Sequence, residues 1–231
     1  MDLSTLNISV ADGAAFACFL VAWVGYAHVA DRSRWGQGNL ITTVHALRRR
    51  WMEEAMRRDN RIGDTNLLGN LMRSVTFFTS TTIFILGGLL AVLGAADRAR
   101  EILQDLPLAA STTKVFWELK ILVLLVTFTY GFFKLTWSIR QFNYCCILLG
   151  AAPPPDGDPA ELASAATRAA RIANLAGDNF NSGLRAYYFG MAALCWFVHP
   201  GLFMAASIWV VLVLYRREFR SHTRRVLLGR D

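Results

Sequence analysis

Apolar residues in this chain gather into long blocks parted by strongly polar segments. The first, "AAFACFLVAWVGYAHVA" (14–30), has about the minimum length to cross a hydrocarbon core of ~30 Å. The blocks at 75–96 and 115–137 are ample for one crossing each. The last block, 184–217, exceeds one untilted crossing at ~1.5 Å per residue, and Pro200 stands near its middle inside the turn signal "HPG". The pattern predicts an all-α, multi-span helical membrane protein. Its spans lie near 14–30, 75–96, 115–137, 184–199 and 201–217, or number four if the last block is a single kinked helix.

Composition agrees with that class. Hydrophobic residues make up 54% of the 231, charged residues 18%, and the mean hydropathy is +0.34, too apolar for an ordinary soluble domain. The formal charge of +7 comes almost wholly from arginine, since Lys114, Lys120 and Lys134 are the only lysines. Their place near span ends lets Lys120 and Lys134 snorkel toward the headgroups. Cys18, Cys145, Cys146 and Cys195 lie in apolar surroundings without metal-ligand spacing and read as small core fillers. The N-terminus lacks the basic region of a cleaved signal peptide, so the first block is expected to remain as a span.

Arginine placement chooses between four and five spans, because basic residues near cytoplasmic ends set orientation. No Lys or Arg precedes the first span, nine separate the first and second, and six follow the last block from Arg216 onward. Four spans put thirteen basic residues inside and nine outside, whereas five put nineteen inside and three outside. Five spans are therefore favoured, in a bacterial inner membrane with the N-terminus outside and the C-terminus in the cytoplasm.

The densest charge lies between the first two spans. Leu40, Val44, Leu47, Trp51 and Ala55 recur at helical spacing, while Arg49, Arg50, Glu53, Arg57 and Arg58 fall largely elsewhere. Residues 39–60 thus read as a cytoplasmic amphipathic helix. Arg48, Arg49, Arg50, Trp51, Arg57, Arg58 and Arg61 are the candidates for contact with anionic lipid or with a partner protein, and Trp51 would sit at headgroup depth. The competing reading docks this helix on the protein's own cytoplasmic ends. Asp64 is expected to cap the next helix, and Asp158, Pro159 and Glu161 to open an alanine-rich helix over 159–176 that packs on a neighbouring surface.

Four stretches, "RRRWMEEAMRRDNRIGD", "FFTSTTIFILGGLLAVLG", "FNSGLRAYYFGMAALCWFVHPGLF" and "VVLVLYRREFRS", together resemble the DUF599-type family of uncharacterised bacterial and plant integral membrane proteins. The resemblance covers nearly the whole chain. It implies an integral membrane protein and supplies no activity and no catalytic residues.

Direct signs of chemistry are few. Thr76, Ser80, Gly87 and Ala91 form a small-residue stripe on the second span, read as a surface for close helix packing in preference to a hydroxyl-lined solute path. His28, His45, His199 and His222 are too scattered for a metal or haem site, and no catalytic or nucleotide motif appears. Arg73, Arg140, Asn143, Asn179, Asn181, Arg185, Tyr187 and Glu218 gather at the cytoplasmic ends of several spans, either as a polar binding cluster or as an orientation-setting rim. The sequence reading is a binding or assembly component with a basic cytoplasmic platform. It is not expected to be an enzyme, and no metal, cofactor or nucleic acid is expected. Anionic membrane lipid is the expected partner, with a protein partner or a homo-oligomer beside it. The alternative is a small oligomeric channel or transporter for an ion or small solute.

Overall fold

The apolar blocks fold as long helices. The computed structural model describes residues 9–32, 40–98, 113–220 and 222–229. Arg34, Arg100 and Arg230 of the charge count, and residue 39 of the predicted amphipathic helix, lie outside them. The described elements are α1 (Val10–Leu20), a π-helical turn (Val21–Gly25), α2 (Tyr26–Arg32), α3 (Leu40–Met56), α4 (Ile62–Gly94), α5 (Lys114–Gly150), α6 (Pro159–Leu194), a 3₁₀ turn (Cys195–Phe197), α7 (Pro200–Phe219) and α8 (His222–Leu227). No strand occurs among the described residues.

Three stretches are long and apolar enough to cross a membrane: Val10–Ala30, Ile62–Gly94 and Lys114–Gly150. A helical membrane protein accounts for them. The further spans expected at 184–199 and 201–217 fall on the end of α6 and on α7. Residues 159–176 and 184–194 are one uninterrupted helix here, not two separate elements.

Local chemistry explains the helix ends. Ser9 Oγ accepts from Asp12 N at 3.1 Å and donates to Asp12 Oδ2 at 2.6 Å, a reciprocal cap for α1. Pro159 and Pro200 occupy the first helical positions of α6 and α7, where a missing N–H costs nothing. Asp158 Oδ1 accepts from Ala160 N, and His199 Nδ1 accepts from Gly201 N at 3.0 Å. Asp64 does not cap α4. It lies buried in the first turn, and Asn60 Oδ1 accepts the Ile62 N–H instead.

The contacts group into two units. The first takes described residues of 1–34, 82–131 and 184–216; the second takes those of 35–81, 132–183 and 217–231. Aromatic rings build the first unit's core. Phe203 lies 5.1 Å from Phe19 and stacks on Trp196 at 4.9 Å, and Phe189 meets Phe19 edge-on. A Cβ on Gly190 would come within 2.7 Å of the Phe128 ring, so that ring seats itself on bare backbone.

In the second unit the alanines of α6 form a buried seam: Ala165, Ala166, Ala169, Ala170, Ala173 and Ala176. Their small side chains let α5 approach closely, so Ser138 Oγ donates to Ala176 O at 2.7 Å and Cys145 Sγ to Ala169 O at 3.6 Å. Arg61 ties the corner after α3 to the corner after α5. It donates to the carbonyls of Ala55, Met56, Ala152 and Pro153 at 2.7–3.3 Å. Phe180 and Asn181 of α6 share a cavity wall with Arg217 and Glu218 of α7, while Trp196 stacks on Phe203 beside the turn. The chain therefore doubles back at His199–Pro200.

Candidate functional site

One side of α3 faces the protein. Met52, Ala55 and Met56 are buried, and Val44, His45 and Arg48 are half-buried one and two turns earlier on the same face. Leu47, Arg49, Arg50, Glu53 and Arg57 are mostly or fully on the exposed side. The helix ends at Met56, so residues 57–60 are a turn, not the last helical turn predicted.

Arg48 is the inward cation. Its guanidinium occupies the space that any side chain at Gly177 of α6 would fill, so a Cβ there would collide with it. Burial lowers the Arg48 pKa from its ordinary value, and the negative charge of Asp178 opposes that shift. His45 Nε2 lies 2.8 Å from Asp178 Oδ1, so one carboxylate serves both groups.

His45, Arg48 and Gly177 border a cavity of about 320 Å³. That volume is at the lower end of the range for small-molecule sites. Leu40, Ile41, Leu71 and Val75 supply an apolar wall; His45, Arg48, Asn181, Arg217 and Glu218 supply polar groups. Arg217 is exposed, whereas Glu218 is buried with 5% exposure. Glu218 Oε2 has no hydrogen-bond partner among the described residues. The combination suits a ligand with an apolar part and a charged part.

The seven residues predicted to meet lipid or a partner divide by direction. Arg49 pairs with Glu53 at 3.0 Å and Arg57 with Glu54 at 3.4 Å, both exposed, and Arg50 is exposed as well. Arg48 and Arg61 are turned to the protein. Trp51 Nε1 and Arg58 Nη1 both donate to Asp64 Oδ1, at 2.7 Å and 2.5 Å. Trp51 thus fastens α3 to α4.

The predicted polar cluster also divides. Arg73, Arg140 and Asn143 are exposed, with Arg140 Nε donating to Tyr144 Oη at 2.9 Å. Asn179 Oδ1 accepts from Lys134 Nζ at 3.3 Å. Arg185 is buried in the first unit, where Tyr187 Oη and Thr82 Oγ1 are 2.6 Å apart. Of this cluster, Asn181 and Glu218 line the cavity.

One expectation about the spans is corrected. Lys120 does not snorkel: it is buried with 2% exposure and donates to Trp196 O at 3.0 Å. Its Nζ lies 4.8 Å from the Phe116 ring centre and 5.4 Å from that of Trp196. The stripe of Thr76, Ser80, Gly87 and Ala91 is exposed, with open space around Gly87, so no helix packs on it among the described residues.

Sequence reasoning passed over His45, Gly177, Asp178, Arg217 and Asp12. A usable signal existed for the first: His45 and Arg48 are three residues apart, on one helical face. A glycine interior to a helical stretch also signals close approach. Among the described residues no cluster of potential metal ligands occurs.

No curated protein and no solved structure matches the chain. The family profile described as "Protein of unknown function, DUF599" matches residues 14–223. With that profile spanning nearly its whole length, the chain belongs to the DUF599 family.

Proposed function

We propose that this chain is a five-span protein of the bacterial inner membrane that binds an amphiphilic ligand at its cytoplasmic side, and that it is not an enzyme. Three long apolar helices, the doubling back at His199–Pro200 and the bias of nineteen basic residues against three support the span count and orientation. A C-terminal reporter is expected to be active in the cytoplasm; activity only in the periplasm would overturn the topology.

The mixed lining of the cavity carries the binding reading. An anionic group would meet Arg48 and Arg217, while an apolar tail would lie along Leu40, Ile41, Leu71 and Val75. Outside it, exposed Arg49, Arg50 and Arg57 add attraction to an anionic leaflet, at about 1 kcal/mol each before their acidic neighbours are counted. A protein partner or a second copy is the competing occupant of that exposed face.

The test is phospholipid titration of the full-length chain in mild detergent, read by native mass spectrometry. Retained lipid is expected, and Arg48→Gln should weaken retention about tenfold, the equivalent of one charge-assisted hydrogen bond. Absence of retained lipid, together with solute flux through purified protein in liposomes, would favour the channel reading instead.

A further inference from the structure

The cavity's polar lining is not uniformly basic, and that narrows what can occupy it. Glu218 sits in the wall with only 5% exposure, and its Oε2 has no hydrogen-bond partner among the described residues. A carboxyl group buried without a partner is costly, and native structures pair such groups or supply a ligand. The cation in the same lining already faces a carboxylate: Asp178 acts on Arg48 and also bonds His45. Arg48 and Arg217 can still attract an anion, because a guanidinium offers five N–H donors. A purely anionic ligand would serve those arginines and leave Glu218 repelled and unsatisfied. A neutral apolar ligand would serve neither.

Resting on the amphiphile reading above, we infer that the cavity selects a zwitterionic headgroup, with a primary ammonium donating to Glu218 and an anionic group held by Arg48 and Arg217. The required chemistry is an amine carrying N–H donors. A quaternary ammonium keeps the charge but cannot donate, so it fits Glu218 poorly. The cavity holds a headgroup and the start of a tail, while Leu40, Ile41, Leu71 and Val75 offer that tail an apolar wall. Phosphoethanolamine on a diacylglycerol has this chemistry. The water-soluble zwitterion O-phosphoethanolamine shares the head without the tail.

The experiment compares headgroups on the wild-type full chain in mild detergent, with retention read by native mass spectrometry. The probes are phosphatidylethanolamine, its N-methyl and N,N-dimethyl forms, phosphatidylcholine and phosphatidylglycerol, all with the same acyl chains. Binding should hold while an N–H remains and fall about tenfold at phosphatidylcholine, the loss expected for one hydrogen bond to a charged group. Glu218→Gln, checked for folding by helical circular dichroism and a monodisperse elution profile, should reduce that step to less than twofold. Equal binding of phosphatidylethanolamine, phosphatidylcholine and phosphatidylglycerol, with dependence on Arg48 retained, would overturn the zwitterion inference and leave the amphiphile reading standing. Absence of binding by all five lipids would overturn both. If O-phosphoethanolamine stabilises the protein as much as the lipid does, the assignment to lipid falls and the ligand is a free zwitterion.

Discussion

Lys120 in the first unit and Glu218 in the second are both charged residues almost wholly removed from solvent, with 2% and 5% exposure. Their surroundings differ completely. Lys120 donates to Trp196 O and lies over two aromatic rings, and the charge of Asp12 acts on it. Asp12 is itself occupied: Trp196 Nε1 donates to its Oδ1 at 2.8 Å and Ser9 Oγ to its Oδ2. That group of residues satisfies itself and serves the fold. Glu218 lines a cavity, and its Oε2 has no hydrogen-bond partner among the described residues. Burial alone therefore does not single out a charge for function; burial without a partner, beside space, makes it a candidate.

The comparison can be broken most forcefully at Asp12. Asp12→Ala removes the acceptor for the Trp196 indole and a negative charge acting on Lys120, which keeps its bond to Trp196 O. A loss of about 1–3 kcal/mol is expected, read as a fall in thermal midpoint in detergent. An unchanged midpoint would mean that the Lys120 surroundings do not act as a unit.

Glu218→Gln should move stability the other way. In delipidated protein, replacing an unmatched buried carboxyl by a neutral amide is expected to raise stability by about 1 kcal/mol, with the gain offset when phosphatidylethanolamine is added to the wild type. A destabilised variant without lipid would show that Glu218 belongs to the scaffold as Lys120 does.

The smallest effect supplies the reference. Arg50→Gln alters a solvent-exposed charge and should change stability by less than about 0.5 kcal/mol while weakening adsorption to anionic vesicles at low salt. If vesicle adsorption is insensitive to this change and to Arg49→Gln and Arg57→Gln, the exposed arginines retain orientation as their role.

The helical class and the apolar blocks were legible because hydrophobic run length and helical periodicity are local properties. The continuity of α6 was not. Residues 177–183, "GDNFNSG", have the composition of a linker, yet they stay helical because their polar side chains find work: Asp178 with His45, Asn179 with Lys134, and Ser182 Oγ with Asp178 O. Tertiary contacts override weak propensity there. The charge cluster around Arg48 could be found by counting, but the direction of each arginine could not. Arg48 turns inward because Gly177 leaves room, and Arg61 because four backbone carbonyls await it. Gly177 and two of those carbonyls, of Ala152 and Pro153, lie far from these arginines in sequence.

The seating of Arg48 on Gly177 also bears on how such a chain can change over time. The two positions are 129 residues apart, yet they share one space: alanine at 177 would push the guanidinium aside, and a shorter residue at 48 leaves a gap above the glycine. Two distant stretches of sequence are thus coupled through the volume they share. Among members of the family, a residue larger than glycine at 177 should therefore accompany one smaller than arginine at 48. Chains that keep the arginine should keep the glycine.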